Sequence, residues 1–225
     1  MGTIEEEANL SVLLPRLRPI VEEIVVVDDG STDRSREVAR EHGAIVVARP
    51  QRLGIGTVVY TAVARASRPV IATMDADLSH PPEALVAAHA KLAEGYDVVR
   101  FSRLLPGSTW DAPVTRRIGL RVVAAALAAI CRLRLTDPTN GFMLARRACF
   151  DGPTRFTTDP GEGWVAEFLA RNRDRPMIEL PYAHAARLYG RSRQTRRQEA
   201  SRLLRSVLLG VGPAATRSEG ARIPS

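Results

Sequence analysis

The chain has 225 residues, of which 45% are hydrophobic, enough for one well-buried α/β domain and short for two. Its formal net charge of +7 comes from arginine far more than lysine, which suits polyanionic partners such as nucleic acid, an anionic membrane surface or phosphorylated small molecules. An aromatic content of only 5% offers no stacking platform for bases, so nucleic acid ranks last among these.

No stretch reaches the roughly 18 uninterrupted apolar residues of a membrane-spanning helix, and no leader pattern opens the chain. The expectation is a soluble, cytoplasmic protein with room for peripheral contact at the inner face of a membrane. Cys131 and Cys149 stand without a CxxC pair and the histidines are scattered, so neither a disulfide framework nor a zinc site is indicated.

In chain order, the β-branched run at 24–27 reads as a strand that ends in Asp28-Asp29-Gly30-Ser31, followed by a helix over 33–42. A second strand over 44–48, a glycine-entered helix over 54–66 and a third strand over 70–74 come next, the last ending at Asp75-Ala76-Asp77. His80-Pro81-Pro82-Glu83 opens a helix running to about residue 94, because proline is tolerated in a first helical turn. A fourth strand covers 97–102. Arg116, Arg117 and Arg121 then lead into an alanine-rich helix over 122–131, and 137–142 forms a turn. Strands alternating with helices predict a single doubly wound, mostly parallel sheet of Rossmann-like type. The domain is expected over 1–209, with 210–225 as a flexible tail.

Two acidic clusters, Asp28-Asp29 and Asp75-x-Asp77, therefore fall at the carboxyl ends of strands, where open α/β sheets bind ligands. A DxD pair at such a place suits a hard divalent cation, Mg²⁺ or Mn²⁺, shared with substrate phosphates. An acidic turn capping a helix is the plainer alternative.

Three segments decide between them: Val25 to Asp33 (VVVDDGSTD), Met74 to Glu83 (MDADLSHPPE) and Asp137 to Phe142 (DPTNGF). In this order and spacing they resemble the dolichol-phosphate (polyprenyl-phosphate) mannosyltransferase branch of the family-two glycosyltransferases, over residues 2 to about 193. The resemblance implies a glycosyltransferase A type fold and a metal-dependent, inverting transfer of mannose or glucose from a GDP- or UDP-hexose to a polyprenyl phosphate. It implies that Thr3, Glu6, Asp28 and Asp29 face the nucleoside, that Asp75, Ala76 and Asp77 face metal and diphosphate with Ser79 beside them on the metal, and that Arg103 after Ser102 contacts phosphate. Arg187, Arg191 and Arg193, with Gly190 and Ser192, resemble a late loop closing over the diphosphate. Arg116, Arg117 and Arg121 would hold the acceptor phosphate. An acceptor that is already an anion needs positioning more than a base.

A soluble enzyme acting on a natural-product hydroxyl is the alternative. It would need a carboxylate base, with Asp137, Glu162 and Glu167 as candidates. A degenerate, non-catalytic sugar-nucleotide-binding protein is a third reading. Family members usually begin with a strand leading into Pro-Thr-aromatic-Asn-Glu, whereas this sequence opens Met1-Gly2-Thr3-Ile4-Glu5-Glu6. The first strand is therefore expected to be missing.

Overall fold

The computed structural model describes residues 1–151 and 163–189. The expected tail at 210–225, the late-loop residues Arg191 and Arg193 and the candidate base Glu162 lie outside the described residues.

Strand β1 (Gly2–Thr3) is followed by helix α1 (Glu7–Leu17), strand β2 (Val25–Asp28), helix α2 (Ser35–Glu41), strand β3 (Ile45–Ala48) and helix α3 (Ile55–Arg65). Then come β4 (Val70–Thr73), α4 (Ala84–Ala93), β5 (Val98–Ser102), β6 (Thr109–Trp110) and α5 (Val114–Cys131). Beyond a turn lie β7 (Met143–Arg146), α6 (Trp164–Arg171), β8 (Met177–Pro181) and β9 (Ala183–His184).

The alternation of strand residues covers both faces of the sheet. Val99 and Leu144 point into a core with Leu10, Leu13, Leu14 and Leu17, the stripe that α1 presents at helical spacing. Their neighbours Val98, Met143 and Ala145 point the other way, onto Val59 and Val63 of α3 and Phe168 and Leu169 of α6. Burying each of the four α1 leucines contributes about 1.5–3 kcal/mol.

Pairing is parallel in β1-β2-β3, while β7 runs antiparallel between β4 and β5 in the order β4-β7-β5-β8. The expected all-in-one sheet is thus hydrogen-bonded in two main parts, plus a small β6-β9 pair.

The first strand is not lost, and that expectation is corrected. It is reduced to two residues in parallel register with Val27 and Asp28. Met1 C=O accepts from Val27 N–H at 2.9 Å and Thr3 C=O from Asp29 N–H at 3.0 Å. These two bonds suffice to carry Thr3 to the end of β2. Gly2 is required here, because a Cβ would lie 2.6 Å from Val58 Cγ1.

β1 and β4 are not hydrogen-bonded to one another, and a cavity runs between Val25 and Val70–Ile71. Bonds from Ser67 to Glu23 and an ion pair of Arg68 with Glu22 tie the two halves together at its far end.

The Met1 ammonium donates to Val25 C=O at 2.8 Å, and burial lowers its pKa from 8.0 to about 6.

Candidate active site

The carboxyl ends of β1, β2 and β4, the β5 end and the start of α5 line one cavity of about 1650 Å³. Of the expected residues, Thr3, Glu6, Asp29, Asp75, Ala76, Asp77, Ser79, Arg103, Arg116 and Arg187 line it.

In the turn after β4, Leu78 is held in the left-handed region at φ 66 and is buried, an unusual conformation for a branched side chain. It folds the chain back so that Ser79 donates to Asp77 Oδ1 through its hydroxyl at 2.6 Å and its N–H at 3.1 Å. Arg187 Nε donates to Asp77 Oδ2 at 3.3 Å and its Nη2 pairs with Glu6. Burial pushes the Asp77 carboxyl up, but Ser79 and the Arg187 charge outweigh it and hold it below the usual range. Glu6 behaves oppositely. Burial raises its carboxyl despite Asn9 and Arg187.

Asp75 extends from the same turn with 61% of its side chain exposed. Its N–H donates to His80 Nδ1 at 3.0 Å, and the His80 ring stacks on Phe142 at 4.6 Å with 5° between planes. Burial lowers the His80 pKa, so the ring is neutral. No cluster of three or more His, Cys, Asp or Glu is found among the described residues. Two carboxylates of hard oxygen, one open and one held ionised, nonetheless fit Mg²⁺ or Mn²⁺, which keep most of their sites for water and phosphate.

Asp28, Asp29 and Ser79 are placed differently from one another. Asp28 is fully buried, and its carboxylate accepts from Ser31 N–H and faces Arg36, so it builds the turn and does not line the cavity. Asp29 does reach the cavity, though its oxygens accept from Leu53 and Gly54 N–H and from Arg49. Ser79 points its hydroxyl at Asp77 and would have to release that bond to bind a metal.

Asp137 is also wholly buried, with Arg103 donating to both its oxygens at 2.8 and 3.0 Å and Thr139 adding a third bond. Both of its oxygens are thus taken by donors of the chain, and the pair fixes the Arg103 guanidinium in place. Glu167 is 2% exposed and paired with Arg171 on α6, away from the lining. Arg116 lines the cavity, whereas Arg117 and Arg121 are exposed on α5 and do not.

Trp110, which stands in no motif, adds an aromatic ring beside Arg103 and Arg116. Their guanidinium carbons both lie 5.3 Å from the Trp110 ring centroid, close enough for cation–π attraction. The His184 ring meets Trp110 edge-on at 5.9 Å.

The profile of the Glycosyl transferase family 2 matches residues 3–159. The chain belongs to that family. It is 30% identical over 203 residues to the dolichol-phosphate mannosyltransferase of Pyrococcus furiosus, covering 85% of this chain and 57% of that protein. It is 34% identical over 150 residues to the dolichyl-phosphate hexose transferase of Haloferax volcanii, covering 65% and 64%. The chain thus spans less than two thirds of the length of either relative. Among solved structures, glucosyl-3-phosphoglycerate synthase from Mycobacterium tuberculosis, crystallised with Mn²⁺, UDP and phosphoglyceric acid, aligns at a TM-score of 0.70 and 22% identity, over 94% of this chain and 76% of that one. That likeness establishes the glycosyltransferase A type α/β fold for this family-two chain.

Asp137→Asn should destabilise the protein by about 3–5 kcal/mol, since it weakens a bidentate pair with both partners largely enclosed. Burial raises the Asp137 carboxyl, but Arg103 and Thr139 overcome this and depress it. Its contribution is thus present above the ordinary carboxylate pKa and lost as pH falls through the folded value. Chemical denaturation at neutral and at acid pH should show the wild-type advantage shrink toward acid.

Proposed function

We propose that the chain transfers a mannosyl or glucosyl group from a GDP- or UDP-hexose to a polyprenyl phosphate, with inversion at the anomeric carbon and with Mg²⁺ or Mn²⁺ held by Asp75 and Asp77. The observation that carries this reading is the position of Arg103 and Arg116 in the same cavity as the Asp75–Asp77 turn. Carboxylates for a metal thus stand across from cations for a phosphate that brings no metal of its own. Both curated relatives carry lipid phosphates in their names, which supports the choice of acceptor.

In this reading an acceptor phosphate oxygen attacks the anomeric carbon. The bond from that carbon to the donor's β-phosphate oxygen breaks, and its electron pair leaves with the nucleoside diphosphate. The bound cation would supply Lewis-acid stabilisation of the charge on that leaving group. Arg187, fixed between Asp77 and Glu6, lies over the same end of the cavity and supplies a second positive charge there. Arg116 and Arg103 orient the acceptor, the latter steadied by Asp137. No proton has to be removed from a phosphate already ionised, in keeping with Asp137 and Glu167 both being enclosed in ion pairs.

A membrane-borne acceptor also suits α5. Val114, Ile118 and Val122 are 61%, 54% and 64% exposed. They recur at every fourth position on one line, with Arg117 and Arg121 between them. No described helix is long and apolar enough to cross a membrane. Peripheral seating of α5 against anionic lipid is the form of contact proposed. The reading in which a small-molecule hydroxyl is the acceptor requires a base, and of its candidates Asp137 and Glu167 are enclosed in ion pairs while Glu162 lies outside the described residues.

Two measurements test this. Purified protein with Mn²⁺ should transfer radiolabelled hexose from at least one of GDP-mannose, GDP-glucose or UDP-glucose to a short polyprenyl monophosphate, and transfer to none of these donor pairs refutes the reading. Ile118→Asp combined with Val122→Asp should lower binding to phosphatidylserine vesicles by about tenfold or more, read by sedimentation, while leaving thermal stability intact.

A further inference from the structure

A chain of oriented hydrogen bonds runs beside the cavity from Asn140 through Tyr182 to His184, and its direction can be read from the groups that have only one choice. Asn140 is fixed first. Its Oδ1 accepts from Phe142 N–H at 3.1 Å and its Nδ2 donates to Phe101 C=O at 2.7 Å, so two backbone groups settle which end of the amide is which.

The second Nδ2 hydrogen goes to the Tyr182 oxygen at 3.0 Å. Tyr182 is 5% exposed, and a buried hydroxyl needs an acceptor for its own proton. Among the described residues the acceptor within reach is His184 Nδ1, at 3.1 Å. His184 Nδ1 therefore accepts, and the ring proton sits on Nε2.

Burial, reinforced by the neighbouring His80 and Arg103, lowers the His184 pKa to about 4, so the imidazole carries a single proton. His80 is set in the same sense. Its Nδ1 accepts from Asp75 N–H, and its ring lies 6.0 Å from that of His184.

His184 lines the cavity and meets the edge of Trp110, the ring that also receives Arg103 and Arg116. We propose that His184 is an acceptor-binding residue, a neutral imidazole whose Nε2–H donates to an anionic oxygen of the acceptor held beside Arg116, with Tyr182 and Asn140 as the positioning residues that fix its tautomer. It is a donor in this arrangement and takes no proton from the acceptor. This rests on the reading of the acceptor as a phosphate monoester, and it assigns a role to a histidine that the arginine pattern does not include.

The test uses the 225-residue chain, with ¹⁵N-labelled histidine and farnesyl monophosphate as the probe. Long-range ¹⁵N–¹H correlation spectra should show His184 in the Nε2–H form, with that N–H shifting as farnesyl monophosphate is added. His184→Phe keeps the ring against Trp110 but removes the donor, and should weaken farnesyl monophosphate by about tenfold or more, as for a hydrogen bond to a charged oxygen. It should leave nucleotide affinity unchanged. His184→Gln restores an N–H at similar reach and should recover most of the loss, and Tyr182→Phe should release the tautomer and give mixed signals.

An Nδ1–H ring, an unchanged affinity in His184→Phe, or an equal loss of nucleotide binding would each overturn the proposal. If wild-type protein transfers sugar to polyprenyl phosphate and His184→Phe does so with the same KM, this inference fails while the proposed function stands. If the probe binds through His184 but accepts no sugar, the function fails and the binding role stands. If the probe does not bind at all, both fall.

Discussion

Asp77 is held ionised in a largely enclosed place, and the remainder of the site is arranged to make that possible. Ser79 donates to one oxygen twice, Arg187 donates to the other, and Arg187 is itself anchored by Glu6 at the start of α1. The left-handed Leu78 makes the Ser79 contacts geometrically feasible, and its buried side chain ties the strained turn to the core. Without these donors a carboxylate so placed would take up a proton and lose its use as a hard anionic ligand.

The same logic extends across the cavity to the loop over 137–142. Arg100 is completely buried and donates to the carbonyls of Asp137 and Asn140, while Arg103 grips the Asp137 carboxylate. Two arginines from β5 and the turn following it therefore hold the loop that carries Asn140 and Phe142. Those two side chains in turn support Tyr182 and stack on His80. Arg100 and Arg103 thus serve internal scaffolding, whereas Arg116 and the exposed arginines of α5 face outward, toward an anionic partner.

The strands β2, β4 and β5 were legible because each is a short β-branched or apolar run that stops at a polar turn. Their end residues foretold where the cavity would lie. The two-residue β1 was not legible, since Gly2 and Thr3 have no strand character of their own and are extended by bonds to Val27 and Asp29. Nor was β7, whose antiparallel insertion between β4 and β5 is a tertiary choice that local pattern does not encode. At the site, the acidic pairs were visible as sequence, but spacing alone did not separate Asp28, which closes a turn, from Asp29, which reaches the cavity. Trp110, Tyr182 and His184 stood in no motif. They gain their meaning only when β6 and β9 pair and bring them beside Arg103 and Arg116.

The central claim is that Asp75 and Asp77 form a cation site shared with a nucleoside diphosphate. Calorimetric titration of the protein with GDP and with UDP, each with and without Mn²⁺ and repeated on Asp77→Ala, tests it most directly. The account predicts that one nucleotide binds in a Mn²⁺-dependent manner and that Asp77→Ala abolishes the dependence. Binding that is indifferent to Mn²⁺, or that persists unchanged in Asp77→Ala, would contradict it.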